Sequence, residues 1–325
     1  MKSFQEINRG YNQTFKSGQL SMGLVIPLEN YDRGPVPTME DHLEKVKLID
    51  ELGFKALWIR DIPLNVPAFG DAGQLFDPFT YLGFLAGQTQ NIALGISSIA
   101  LPLHHPLNVA KSAASIDQLS GGRMILGVAS GDRPQEYPAM NIDFDNRGEL
   151  FREAFHYIRK VQESFPTFEN SHYGSLNGFQ DMLPKPVGHK IPLMMTGSSR
   201  QTLEWNAEHA DGWMNYPRNL YQQQHTIQEY RTSVAKYSEF DKPFMHPMYL
   251  DLHEDVDFRP QPIHLGFRTG VNPLVEYLQC SQEMGVNHVA LNLRFNQANM
   301  EETFHQLAEE VLPHFHESKE EVTTQ

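Results

Sequence analysis

Asp117-Gln-Leu-Ser-Gly-Gly-Arg-Met-Ile-Leu-Gly-Val-Ala-Ser-Gly131 holds a complete junction between two elements. A helical pattern from Pro106 ends in it at Leu119, with proline at the first helical position. After the glycine pair comes an apolar run, Met124–Val128, that reads as a buried strand. Ser130-Gly131 then carries the chain away from the strand. The same unit recurs on both sides. Leu20–Pro27, Lys55–Ile59 and Ile92–Ile99 are short apolar runs before it, and Ile191–Met195, Gly212–Asn215, Phe244–Leu250 and His288–Leu293 follow it. An amphipathic helix is predicted after each. The first opens near Thr38 as N-cap and closes at Gly53, and the second starts at Asp77-Pro78. Later helices are predicted over 146–164, 199–209, 220–237 and 273–284, the last ending near His314.

Eight strand-helix units in 325 residues match an α/β chain folded as a (β/α)8 barrel of the TIM type. An open doubly wound sheet would use the same pattern, but no G-x-G-x-x-G follows the first strand. Residues 165–190 break the rhythm with prolines, glycines and aromatics (Phe165, Phe168, Tyr173, Phe179). They read as an insertion after the fourth unit, built as a hairpin rather than a linker. The expected division is an N-terminal extension over 1–19, a barrel over 20–318 and a polar tail over 319–325.

A net charge of -14 repels nucleic-acid phosphates and anionic lipid, so neither partner is expected. The single cysteine, Cys280, excludes an internal disulfide, and its helical setting predicts a buried thiol. No secretory leader or membrane span is legible, which predicts a cytoplasmic protein. No metal-ligand spacing occurs among the histidines, so no metal is expected. His104-His105 reads as a loop entering a helix.

In such a barrel the chemistry sits at the C-terminal ends of the strands. There the second strand delivers Arg60 and Asp61. The third delivers Ser97 and Ser98, the fourth Ser130, Gly131, Asp132 and Arg133. The fifth delivers Thr196, Gly197, Ser198, Ser199, Arg200 and Thr202. A rim carboxylate such as Asp61 serves either as a base or as the partner of Arg60 or another cation. Gly197 allows a tight turn, while hydroxyls and Arg200 at the start of a helix suit either a phosphate site or an ordinary helix cap.

Leu94-Gly-Ile-Ser-Ser-Ile-Ala-Leu-Pro-Leu-His-His-Pro106, the junction quoted first, and Ala207-Glu-His-Ala-Asp-Gly-Trp213 resemble segments of the bacterial luciferase-like flavin-dependent monooxygenases. The resemblance spans roughly Leu20 to Phe315. It implies FMN at the barrel mouth, delivered reduced by a separate flavin reductase, and oxidation of a small organic substrate with O2 by a homodimer. It also implies a bulge with a cis peptide at Ser97-Ser98 against the flavin, and the flavin phosphate on Ser199 and Thr202, helped by Ser198 and Arg200. Ser130 to Arg133 would touch the flavin tail, and Asp61 and Arg60 would do the polar work near the ring. Loops 61–76, 165–190 and 251–270 would build the lid. One departure stands out: many family members carry an acidic residue followed by a catalytic histidine after the second strand, where this chain has Asp61-Ile62. Deazaflavin-dependent hydride transfer and flavin binding without catalysis are therefore the alternatives.

Overall fold

The computed structural model describes residues 1–188 and 190–315; the expected tail, 319–325, lies outside them. Eight parallel strands close into a barrel: β1 (Ser21–Val25), β2 (Ala56–Ile59), β3 (Ala93–Ala100), β4 (Met124–Ala129), β5 (Leu193–Thr196), β6 (Gly212–Met214), β7 (Phe244–Leu252) and β8 (His288–Asn292). Each pairs with the next, and β8 returns to β1 with Ser21 opposite His288. Eight helices alternate with them: α1 (His42–Glu51), α2 (Pro78–Ala86), α3 (Pro106–Leu119), α4 (Arg147–Val161), α5 (Leu203–His209), α6 (Leu220–Tyr237), α7 (Val271–Glu283) and α8 (Met300–Gln306). The closed order settles the choice between barrel and open sheet.

Shape within the barrel follows from pairs of large and absent side chains. A Cβ on Gly95 would lie 2.3 Å from the Trp58 ring, and one on Gly23 would lie 2.8 Å from His288 Nε2. Those glycines make room for two fully buried rings at the barrel axis. In the quoted junction, Gly121 and Gly122 take φ of 66° and 84°, the left-handed region that suits glycine. Arg123 is 2% exposed and entirely structural. Its Nε donates to the Ser120 carbonyl, Nη1 to Thr89 Oγ1 and the Ile92 carbonyl, and Nη2 to the Ala86 and Thr89 carbonyls, all at 2.8–3.0 Å. Asp117 accepts from Asn8 Nδ2 and the Val187 N–H, tying both the N-terminal segment and the insertion to α3.

Several boundaries differ from the sequence expectation. The first helix begins at His42 rather than Thr38, because the Glu29 carboxylate takes the Thr38 N–H at 2.5 Å, the Thr38 hydroxyl at 2.9 Å and the Met39 N–H at 3.0 Å. The fifth begins at Leu203 rather than Ser199. The expected loop 251–270 contains a hairpin, Gln261–Ile263 with Gly266–Thr269, whose second strand runs parallel to the outer half of β7. The insertion does form a hairpin, Thr167–Phe168 with Leu176–Asn177. Cys280 is half-buried rather than buried, since it sits on the flank of α7. The N-terminal extension packs Phe4, Ile7, Tyr11 and Phe15 with the barrel-interior residues Trp58, Ile125, Met194 and Met245. It closes the end of the barrel opposite the C-terminal ends of the strands.

Candidate active site at the barrel rim

Arg60 and Asp61 leave β2 side by side but do not pair with each other. Arg60 Nη1 donates to Asp71 Oδ2 at 2.6 Å and Nη2 to the Tyr31 hydroxyl at 2.9 Å. Asp61, with a side chain 2% exposed, accepts from the Ala100 N–H at 3.0 Å and from His104 Nε2 at 2.8 Å. The sequence reading missed both Asp71 and His104. Asp71 lies in the β2–α2 loop and offers no local pattern. His104 does lie in the loop entering α3, as expected, but the short turn Leu101–Leu103 folds it back over β2. Ile62 packs near Arg60, its Cδ1 2.4 Å from where a Cβ on Gly73 would stand.

On β3 the register with β4 shifts between Ile96 and Ile99, and the Ser97-Ser98 peptide is cis. The Ser98 hydroxyl is hydrogen-bonded to Thr196 Oγ1, which joins this bulge to the end of β5. After β4, Ser130 is buried and its carbonyl accepts from the Tyr137 hydroxyl. Gly131 has φ of 75°, and a Cβ there would meet the Tyr137 oxygen at 2.6 Å. Asp132 is exposed, and Arg133 turns back over the rim to donate to the Asp71 carbonyl at 3.0 Å.

The β5–α5 loop is shaped by left-handed backbone at Gly197, Ser199 and Arg200, with φ of 57°, 44° and 62°. Trp213 Nε1 holds the Gly197 carbonyl at 2.8 Å, and Gln201 Nε2 ties the loop to the Gly148 carbonyl at 2.8 Å. Buried Ser199 donates its hydroxyl proton to the Thr196 carbonyl at 2.7 Å. Thr202 caps α5 by accepting from the Trp205 N–H at 3.1 Å, which leaves its own proton for another acceptor. Ser198, Arg200 and Thr202 are exposed. Hydroxyl and guanidinium donors on a concave backbone suit a phosphate monoester, so the residues present fit the end of an FMN.

Electrostatics divide the rim. Burial alone would lower the His104 imidazole, but the hydrogen bond and charge of Asp61 outweigh it and raise its pKa. Burial pushes Glu136 up to about 6, partly opposed by Arg133. Burial also works to raise Asp71, yet the Arg60 guanidinium more than reverses it and holds that carboxyl below its usual range. Among the described residues no group of three or more His, Cys, Asp or Glu side chains is placed to hold a metal ion. No helix among them is long and apolar enough to cross a membrane.

An uncharacterised protein of Mycobacterium tuberculosis is 29% identical over 216 residues, 61% of this chain and 73% of that protein. The alkanal monooxygenase beta chain of Photorhabdus luminescens is 33% identical over 115 residues, 35% of this chain and 34% of the relative. Among solved structures, an F420-dependent secondary alcohol dehydrogenase in complex with an F420-acetone adduct superposes with a TM-score of 0.74 at 17% identity, covering 92% of this chain and 99% of that one. The oxygenating constituent of 3,6-diketocamphane monooxygenase from Pseudomonas putida, a type II Baeyer-Villiger monooxygenase in complex with FMN, gives 0.71 at 15%, covering 91% and 98%. At those identities the two structures speak for the fold. The luciferase-like monooxygenase sequence family matches residues 20–250, most of the barrel and every rim segment described above from β1 to β6. By that match this chain belongs to the luciferase-like monooxygenase family.

Proposed function

We propose that the protein is a flavin-dependent oxidoreductase that uses reduced FMN, supplied by a separate reductase, and O2 to oxidise a small organic substrate. The observation that carries this reading is the continuity of the rim. Ser98 on the β3 bulge is hydrogen-bonded to Thr196, which opens the left-handed loop before α5. One face for a flat ring and one cradle for a phosphate are thereby linked through two hydroxyls. Bound flavin would supply the redox chemistry. Thr202, Ser198 and Arg200 would hold its phosphate, with Ser199 fixing the loop that presents them. His104, gripped through Nε2 by Asp61, keeps Nδ1 for a proton at the mouth, where family members use the histidine replaced here by Ile62. Loop 61–76 and the 261–269 hairpin would limit water access. A cytoplasmic homodimer accords with this reading.

Ile62 also favours a second reading, hydride transfer with a deazaflavin, since that chemistry appears on the same fold in the F420-dependent dehydrogenase. The deciding experiment titrates the apoprotein with oxidised and reduced FMN and with F420. Reduced FMN is expected to bind, Thr202→Ala to weaken it about tenfold, near 1.4 kcal/mol, and Thr202→Ser to retain it. Saturable F420 binding without FMN binding would replace the first reading with the second.

A further inference from the structure

Three guanidiniums from three strand ends meet on one aspartate. Arg60 follows β2 and Arg294 follows β8; their Nη1 atoms lie 2.6 and 3.3 Å from Asp71 Oδ2. Arg133, from the β4 loop, donates to the carbonyl of the same residue. Two guanidiniums therefore share one carboxylate, and the third reaches only the main chain of the same residue. The other acids close by do not cancel the excess. Asp61 is engaged by His104, Asp132 is out in solvent, and Glu136 acts on Arg133 only from beyond ion-pairing distance.

Loop stitching accounts for part of this. Arg294 Nη2 holds the Gly34 and Gly70 carbonyls, and the Gly73 N–H closes on Asp71 Oδ1. It leaves Arg294 Nε and Arg133 Nη1 buried with no hydrogen-bond partner, while the Arg60 guanidinium also has the Tyr249 hydroxyl beside it. Among the described residues Arg133 has no carboxylate within ion-pairing distance; its plane lies over Phe69, 4.6 Å from the ring centre. A buried guanidinium nitrogen without an acceptor is costly, and two such nitrogens on one rim leave room for an acceptor that arrives from outside. Aromatic groups ring the same spot. Tyr31 lies under Arg294 at 4.7 Å, Phe69 is exposed, and the Tyr216 hydroxyl is within electrostatic reach of Arg60, Arg133 and Tyr249.

We infer that the substrate of this rim carries an oxyanion, a carboxylate or sulfonate on an apolar body, and that Arg133 with Arg60 and Arg294 receives it. This rests on the flavin reading, because it names the substrate class of the same mouth. The anion site lies on the β2, β4 and β8 ends, whereas the phosphate cradle lies on the β5 end, so one molecule of each can bind together.

Calorimetric titration of apoprotein and of FMN-loaded protein with hexanoate, hexanesulfonate and hexanol tests the inference. Either anion should bind at least about tenfold more tightly than the neutral alcohol, with and without FMN. Arg133→Met, which keeps the packing on Phe69 and removes the charge, should cost about tenfold in anion affinity and far less in FMN affinity. Arg133→Lys should recover part of the loss. Equal binding of hexanoate and hexanol, or no effect of Arg133→Met, would overturn the site. So would competition between the anion and FMN with sensitivity to Thr202→Ala, because the anion would then sit in the phosphate cradle. Arg133-dependent anion binding by a protein that binds no flavin would uphold the anion site and defeat the flavin reading instead.

Discussion

Trp58 and His288 show how far one buried contact can fix the chemistry around it. The indole can only donate, so the 2.9 Å bond from Trp58 Nε1 makes His288 Nε2 an acceptor. The proton of the neutral ring then sits on Nδ1 and points at Ser21 Oγ, 2.6 Å away, while the Ser21 hydroxyl donates to the Thr14 carbonyl at 2.6 Å. Gly95 permits this by leaving the space the indole fills. Gly95→Ala should destabilise the protein by about 1–3 kcal/mol through overpacking, read as a lower urea midpoint at unchanged slope. A midpoint equal to wild type would show that the barrel axis is looser than described. At the rim, Asp61→Asn removes the charge that raises His104. The His104 imidazole should then titrate at lower pH, with the signal identified by its disappearance in His104→Gln. An unmoved titration would mean Asp61 does not govern that proton.

At the scale of elements, helix starts marked by proline were legible: Asp77-Pro78 and Pro106 open α2 and α3 as the sequence predicts. Thr38 and Ser199 misled because each hydroxyl donates elsewhere, to Glu29 nine residues back and to the Thr196 carbonyl three residues back, across a turn whose left-handed backbone the helical pattern does not announce. The packing of Phe4, Ile7, Tyr11 and Phe15 was not legible in the sequence, since these residues find partners from strands far along the chain. Tyr11 is 2% exposed and donates to the Asp211 carbonyl at 2.9 Å. Tyr11→Ala should cost about 3–5 kcal/mol, as for other buried aromatics. Removal of residues 1–15 takes away four buried apolar side chains, Phe4, Ile7, Tyr11 and Phe15, at roughly 1.5–3 kcal/mol each, comparable to the whole stability of a domain. Thermal unfolding should show a large drop for Tyr11→Ala and no cooperative transition for the truncated chain. A truncated chain with wild-type melting would make the segment an appendage.

The whole barrel has a built-in sensitivity to acid. Burial depresses His288 to about 3 and His246 to about 4, against about 6.5 in an unfolded chain. The unfolded state therefore binds more protons below pH 6.5, and stability that is complete above that value is lost as pH falls toward 4. Each group contributes a slope of about 1.4 kcal/mol per pH unit in that window. Urea midpoints should fall steadily as pH drops from 6.5 to 4.5; a flat line down to 4.5 would contradict neutral burial of both rings. Local pattern was enough to determine that eight strands alternate with helices and that hydroxyls and arginines follow the strand ends; that the strands close into a barrel was decided by the return of β8 to β1. Apolar periodicity, proline and glycine act over a few residues, so they can be read in order. The partners of those rim groups were decided only by closure of the barrel. It brings His104 onto Asp61, Ser98 onto Thr196, and Arg60, Arg133 and Arg294 onto Asp71. These contacts join residues tens to hundreds of positions apart, and no local periodicity encodes which charge will meet which.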